Sequence, residues 1–129
     1  MRKLKMRFVI PVLAIAVTFI VFHFILFVGY VPTESMEPTL HKGSCIVGSR
    51  IYGELEVGDI VVFQHEGKPL VKRIAPIEGN MVDHKQEKLC VPNGKLYVLG
   101  DNRSCSVDSS SWDDPFINSN SVIAVVPSS

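Results

Sequence analysis

Acidic residues are missing from the first 33 positions of the chain, and Glu34 is the first of them. Four basic residues precede it, namely Arg2, Lys3, Lys5 and Arg7. From Glu34 onward, the chain therefore carries the other nine of its 13 Lys and Arg residues and all 13 of its Asp and Glu residues. The rest of the chain is therefore mildly acidic and has no basic stripe interleaved with aromatic side chains. Such a surface repels phosphate, so no nucleic-acid partner is expected.

Cysteine is scarce, and the chain contains three, at Cys45, Cys90 and Cys105. They form no C-x-x-C pair and show no cysteine–histidine spacing typical of zinc, so we expect no metal site. An odd number leaves at least one thiol outside any intramolecular disulfide. We interpret the three as small buried thiols, as free cysteines often are.

Formal charge is also absent from residues 8–31 if His23 is neutral. A helix of about 20 residues crosses a hydrocarbon core of about 30 Å, so this run is long enough to span a bilayer. A domain this small could not bury such a helix. Residues Ala14-Ile15-Ala16 match the small-x-small pattern of a cleaved secretion signal, but cleavage there would leave an apolar terminus. We therefore favour a retained membrane anchor.

The basic residues before this run predict its orientation. Positive charges stay on the cytoplasmic side, which gives a cytoplasmic segment 1–7, a transmembrane anchor 8–31 and an extracytoplasmic domain 32–129. The length of 129 residues suits a single domain.

Short apolar runs rich in β-branched residues follow the anchor, bounded by Gly, Pro, Asn and Asp. They are Ile60–Phe63, Leu70–Ile77, Leu96–Leu99 and Val122–Val126. No stretch past residue 40 shows a convincing apolar period of 3.6. The sequence predicts a mostly β fold, either a small antiparallel sheet or a partly open barrel, after the amino-terminal transmembrane helix.

Ser35 is a candidate nucleophile because of its position. It lies a few residues past the anchor, in a stiff loop flanked by Pro32 and Pro38. A serine needs a base beside it to act as a nucleophile. A nucleophile at this point would reach substrates held at the membrane surface.

Lys72 is the candidate base. Alternation along a strand places Leu70, Lys72 and Ile74 on one face. An ammonium group on an apolar face loses hydration, so its pKa falls and the neutral amine can accept a proton near pH 7. Arg73 cannot substitute, because guanidinium groups do not deprotonate in proteins. The ordinary alternative is a lysine that extends to solvent from a strand edge.

Histidine offers a rival base, since His41, His65 and His84 all follow the anchor. We expect each in a polar loop, and His41 is near Ser35 in sequence. A further polar segment, residues 100–109, crowds the end of the Leu96–Leu99 run. Its density of polar side chains indicates a hydrogen-bonded network, although such segments are often ordinary loops.

Four short motifs follow the apolar run in a fixed order. They are SMEPTL (35–40), GDIVVF (58–63), VKRI (71–74) and GDNRSCSVDS (100–109). This set resembles the bacterial type I signal peptidases, in their short form with one anchor, and the resemblance covers nearly the whole chain.

The resemblance implies a serine–lysine dyad on a mostly β fold, with Ser35 as nucleophile and Lys72 as general base. Thr33 occupies the position of a hydroxyl that helps to stabilise the oxyanion, together with the backbone N–H of Ser35. Ser106 matches the serine that orients the lysine, and Asp108 matches a supporting acidic residue.

The same resemblance implies that Arg103 forms an ion pair with Asp108, and that Asp101 and Asn102 hold the loop. The chain departs from the family after Asp108. The family usually has the sequence DSR followed by a nearby glycine, whereas this chain has Asp108-Ser109-Ser110 and lacks that glycine. This departure puts the outer support of the site in doubt, but not the dyad. The segment between Lys72 and Gly100 is also short, so the larger insert of some members is missing.

The expected function is removal of signal peptides from exported preproteins at the cell membrane, with no metal or organic cofactor. Two alternatives remain open. One is a self-cleaving regulatory serine–lysine protease, against which the anchor and the GDNR motif argue. The other is a catalytically inactive, membrane-tethered β module that binds exported proteins, which would not need both Ser35 and Lys72.

Overall fold

The computed structural model describes residues 2–77 and 81–127, so Met1 of the predicted cytoplasmic segment lies outside the described residues. Helix α1 covers Arg2–Ile20 and continues as a π-helical turn at Val21–Ile25. The 21 residues Lys5–Ile25 are apolar and long enough to cross a membrane, and none of that stretch is buried in the protein. Pro11 lies inside the helix.

The end of the apolar run is a strand and not a helix. Strand β1 covers Leu26–Tyr30 and pairs along its whole length with β2, Cys45–Ser49. This pairing satisfies the backbone groups of β1 that face β2, and Phe27 packs against a buried cluster of the domain. Helix therefore gives way to sheet at Ile25, before the end of the apolar run at residue 31.

Seven further strands complete the domain. They are β3 (Ile60–His65), β4 (Lys68–Ile77), β5 (Met81–His84), β6 (Glu87–Cys90), β7 (Lys95–Leu99), β8 (Phe116–Asn118) and β9 (Val122–Val126). Seven strands form one sheet in the order β1-β2-β9-β3-β4-β7-β8, and β5 and β6 form a separate hairpin. All described pairings are antiparallel. The predicted mostly β fold with an amino-terminal apolar helix is confirmed, as a sheet that does not close into a barrel.

The β3–β4 hairpin fixes the direction of Lys72. Its two turn residues, Glu66 and Gly67, both have positive φ, as a tight hairpin turn requires. The register pairs Val61 with Lys72. Because strand residues alternate, Lys72 and Ile74 face the interior, where their exposed fractions are 4% and 1%.

A buried cluster beneath β1, β3 and β9 includes Val31, Met36, Ile46 and Val62. Met36 is 1% exposed and directly follows Ser35. Burial of such a side chain contributes about 1.5–3 kcal/mol, so Met36 holds this loop against the domain.

The interpretation of the cysteines as buried thiols is wrong. Cys45, Cys90 and Cys105 are all free and exposed. Cys45 and Cys90 occupy outward positions at strand ends, and Cys105 lies in a short 3-10 turn, Arg103–Cys105.

Candidate active site

Ser35 is held in a loop between β1 and β2 by backbone contacts. The N–H of Leu40 donates to the carbonyl of Met36 at 2.9 Å, which closes a turn after Ser35. From the other side, the N–H of Asn102 donates to the carbonyl of Ser35 at 2.8 Å, and its side-chain amide donates to the carbonyl of Glu34 at 3.0 Å. Asn102 thus ties the 100–109 segment to the backbone that carries Ser35.

The structure brings Ser35 and Lys72 together. Lys72 Nζ lies 2.6 Å from Ser35 Oγ, and the two residues are 4% and 5% exposed, respectively. Burial lowers the pKa of Lys72 below its ordinary value of 10.5, while the negative charge of Asp108 opposes the shift. A lysine amine with a lowered pKa, at hydrogen-bond distance from a serine hydroxyl, is able to accept its proton.

Thr33 lies on the open side of this pair. Its Oγ1 is 3.1 Å from Ser35 Oγ, and either hydroxyl can be the donor. The residue itself is exposed. A hydroxyl in this place is available to a group that approaches Ser35 from solvent, and its role at the oxyanion stays a prediction.

Asp108 is fully buried and accepts hydrogen bonds at both carboxylate oxygens. The N–H of Gly100 and the hydroxyl of Ser106 donate to Oδ2 at 2.9 and 2.6 Å. The N–H and hydroxyl of Ser110 donate to Oδ1 at 3.0 and 2.6 Å. Burial by itself raises the pKa of Asp108, but these hydrogen bonds outweigh it and hold the pKa below its usual value.

Ser106 therefore contacts Asp108 and lies beside the dyad. A Cβ placed on Gly100 would come within 2.6 Å of Ser106 Cβ and 2.7 Å of the Ser35 carbonyl oxygen. Gly100 is the residue that lets Ser106 approach the backbone of Ser35. The predicted role of Ser106 in orienting Lys72 stays a prediction.

A second network, which the sequence did not reveal, lies on the other face of β4. Arg73 donates to both oxygens of Asp101, each at 2.8 Å, and to the carbonyl of Gly58 at 2.7 Å. Thr39 donates its hydroxyl to Asp101 at 2.6 Å. The hydrogen bond from Arg73 lowers the pKa of Asp101. The network links β4 next to Lys72 with the loop of Ser35 and the 100–109 segment.

An apolar cleft of about 450 Å³ adjoins the dyad. Phe27 and Gly29 of β1, Leu70 of β4, and both Ser35 and Lys72 line it. Phe27 is two residues beyond the helical segment, so the cleft extends from the start of β1 to the reactive pair.

The histidines do not contact this pair among the described hydrogen bonds. His41 is 3.7 Å from Glu37, with 71% of its side chain exposed. His65 and His84 end strands β3 and β5, so the expectation that both lie in loops is wrong. His65 stacks on Trp112 beside a more polar depression of about 600 Å³ that does not include Ser35 or Lys72. Within residues 2–77 and 81–127, no group of three or more His, Cys, Asp or Glu could hold a metal ion.

Comparison with known proteins identifies the family. The family model described as signal peptidase, peptidase S26, matches residues 4–91. The chain belongs to this signal peptidase family. The resemblance seen in the sequence motifs is thereby confirmed.

Several curated peptidases are similar to the chain over much of its length. Signal peptidase IB of Staphylococcus aureus is 31% identical, over 84% of this chain and 81% of the relative. Thylakoidal processing peptidase 1 of Arabidopsis thaliana is 28% identical and probable signal peptidase I-1 of Synechocystis sp. is 27% identical, each over 64% of this chain. The chain spans 36% and 61% of the length of these last two relatives.

The structure also shows how this signal peptidase family member supports Asp108 without the usual arginine after Ser109. Arg103 Nη1 lies 2.9 Å from Asp108 Oδ2, and its Nη2 donates to Ser110 Oγ at 3.3 Å. Ser110, in the place of that arginine, binds the second carboxylate oxygen. Ser110, which stands in place of the usual arginine, and Arg103, which precedes Asp108 in the sequence, thus both bind the Asp108 carboxylate.

Proposed function

We propose that the chain is a membrane-anchored serine endopeptidase that removes amino-terminal signal peptides from exported preproteins. The observation that carries this proposal is the 2.6 Å contact between a buried lysine amine and the Ser35 hydroxyl at the end of an apolar cleft. Family membership supports the reaction, since the relatives are named as signal peptidases.

In the proposed reaction, Ser35 Oγ attacks the carbonyl carbon of the scissile peptide bond, and Lys72 Nζ takes the hydroxyl proton. The N–H of Ser35 and the hydroxyl of Thr33 stabilise the negative charge on the carbonyl oxygen. The Lys72 ammonium then donates its proton to the leaving amine, which departs as the new amino terminus of the mature protein. Lys72 Nζ next takes a proton from a water molecule, whose oxygen attacks the acyl carbonyl carbon. The bond from that carbon to Ser35 Oγ breaks, Lys72 returns the proton to Ser35 Oγ, and the signal peptide leaves with a new carboxyl terminus.

In the proposed topology, the scissile bond of the substrate and the Ser35–Lys72 pair lie at the same distance from the membrane. The apolar helix anchors the chain with its basic amino end in the cytoplasm, and the domain lies on the far side of the membrane. The cleft starts at Phe27, near the end of the helix, where an emerging signal peptide would pass from the bilayer to Ser35. Small residues at the −1 and −3 positions of the substrate would suit this arrangement.

The test is incubation of the purified full chain in detergent with a model preprotein, followed by sequencing of the new amino terminus. We expect one cut after a small-x-small motif, and no cut by Ser35→Ala. A parent protein that binds the preproteins without cutting them would favour the inactive binding module. A parent that cuts only itself would favour the self-cleaving regulatory protease.

A further inference from the structure

Arg50 lies at the end of the apolar helical segment. That segment of 21 residues ends at Ile25 and has a length of about 30 Å, which equals the thickness of a hydrocarbon core. Strand β1 leaves this point and β2 returns to it, so that Leu26 pairs with Ser49. The N–H of Arg50 then donates to the carbonyl of Ile25 at 2.7 Å. The backbone of Arg50 is therefore fixed at the boundary where the helix would leave the bilayer.

The guanidinium group of Arg50 is held in place by two contacts, and none of the described carboxylates pairs with it. Its Nε donates to the carbonyl of Leu26 at 3.0 Å, and its carbon lies 5.4 Å from the centre of the Phe27 ring. In the part of the chain that the structure describes, no carboxylate forms an ion pair with Arg50 and no acceptor binds its Nη groups. Two terminal nitrogens therefore remain available to an external anion.

The surroundings of Arg50 are apolar and exposed. Ile25, whose carbonyl accepts from the N–H of Arg50, is 36% exposed, and Phe24 before it is 60% exposed. Ile51, the next residue after Arg50, is 66% exposed. A soluble anion would leave these side chains in water, whereas a lipid would cover them with its glycerol and upper acyl region.

We propose that Arg50 binds the phosphate of an anionic phospholipid headgroup in the leaflet next to the catalytic domain. The fixed fork of a guanidinium suits two phosphate oxygens, and the interfacial position brings the headgroup to it. The inference rests on the membrane anchoring that is part of the proposed function. Because Phe27 contacts Arg50 and also lines the cleft, the bound lipid stands at the membrane end of that cleft.

The test uses the full chain in nanodiscs of phosphatidylcholine, with or without phosphatidylglycerol, and measures the midpoint of thermal unfolding. The fluorescence of Trp112, the single tryptophan, reports unfolding. We expect phosphatidylglycerol to raise the midpoint of the parent, and Arg50→Gln to lose that rise. Lys88→Gln is the matched control. It removes the same charge from the β5–β6 hairpin, which packs near β7 and β8 at the other end of the sheet, and should keep the rise.

The outcomes separate this inference from the peptidase reaction, because unfolding is measured without any substrate. Absence of the rise in the parent, or an equal rise in Arg50→Gln, overturns the lipid site. Equal loss in Lys88→Gln would show a diffuse charge effect and also overturn it. Arg50→Lys, which keeps the charge but not the fork, should show a smaller rise than the parent, and an equal rise contradicts recognition by the fork. Glycerol phosphate added to detergent-solubilised parent should give no shift, since a shift as large as that from phosphatidylglycerol would assign the site to a soluble phosphate.

Discussion

At the scale of the residue, Lys72 combines burial with one short contact to Ser35, and this combination has a cost in stability. In the folded protein, desolvation lowers the pKa of Lys72 below its ordinary value of 10.5, and in the unfolded chain the pKa returns to that value. Between these two values the unfolded chain binds more protons, so folding stability rises with pH there and falls as the pH drops. Burial of Lys72 thus suits the proposed proton transfer and costs stability near neutral pH.

Replacement of Lys72 separates these two effects. Lys72→Met and Lys72→Arg should each lose about 10²–10⁴-fold or more in turnover, because a general base contributes that much and neither side chain can accept the proton. Lys72→Met should unfold at a temperature no lower than the parent at neutral pH, since it removes a buried amine. Preprotein cleavage and thermal unfolding, with Lys95→Met as the control, check both effects. Cleavage by Lys72→Met at the parental rate would exclude the dyad.

Thr33 tests the oxyanion interaction. Its hydroxyl lies 3.1 Å from Ser35 Oγ. Thr33→Val keeps the shape and removes the donor, so we expect a loss of about 10²–10³-fold in turnover, as for other oxyanion donors. Thr33→Ser should be mild. Single-turnover cleavage rates measure the effect, and equal rates for Thr33→Val and the parent would rule out this role.

Arg103 should adjust the pH dependence through Asp108. The charge of Asp108 raises the pKa of Lys72, and Arg103 pairs with that carboxylate at 2.9 Å. Arg103→Met therefore strengthens the field at Lys72 and should move the rise of kcat/KM with pH to more alkaline values, with a plateau like that of the parent. Each half-unit of movement lowers the rate on the acidic side roughly threefold. Arg103→Lys should restore most of the parental profile, and an unmoved profile in Arg103→Met contradicts the coupling.

At the scale of the element, the site depends on the docking of the 100–109 segment against the loop of Ser35. Asn102 binds the backbone of Ser35 and Glu34, and Asp101 binds Arg73 and Thr39. These contacts join residues far apart in sequence through backbone atoms and short polar side chains. A small displacement of the segment would move Ser35 relative to Lys72.

Gly100→Ala tests this docking. The new Cβ would clash with Ser106 Oγ and would lie 2.6 Å from Ser106 Cβ and 2.7 Å from the Ser35 carbonyl oxygen, so the segment must shift. We expect a loss of about 1–3 kcal/mol in the free energy of unfolding, together with a strong loss of turnover. Gly53→Ala is the control, because its Cβ would meet nothing within 4 Å. Parental activity and stability in Gly100→Ala would contradict the close packing.

At the scale of the whole molecule, the helix and the sheet meet without a linker, since β1 begins at Leu26, directly after the π-helical turn. The cleft, the exposed residues of β1 and β2, and Arg50 all lie near this junction. Such a connection keeps the proposed peptidase close to the bilayer.

The proposed orientation is testable with a tag at the carboxyl terminus. In wall-stripped cells, added protease should remove the tag while an amino-terminal tag stays protected, because the basic residues at the amino end of the helix remain in the cytoplasm. Detergent permeabilisation, which exposes both tags, is the control. Protection of the carboxyl-terminal tag in intact cells would exclude the signal peptidase function.

The sequence by itself determined the features that follow from local geometry. The uninterrupted apolar run formed a helix as far as Ile25, and β-branched runs between turn residues formed strands. The face of Lys72 followed from alternation with Leu70 and Ile74, because the period of a strand is fixed by its backbone. The order of the motifs indicated the family.

Only the tertiary structure decided where these features meet. Ser35 and Lys72 are 37 positions apart, and their contact depends on the pairing of strands and on the buried Met36. The end of the helix at Ile25 was set by the pairing of β1 with β2, which no local preference within the apolar run reveals. The exposure of the cysteines, and the bonds of Asp101 to Arg73 and Thr39, depend likewise on neighbours that are distant in sequence. Packing and long-range hydrogen bonds choose among the partners that a local pattern allows, and this is why these details required the folded chain.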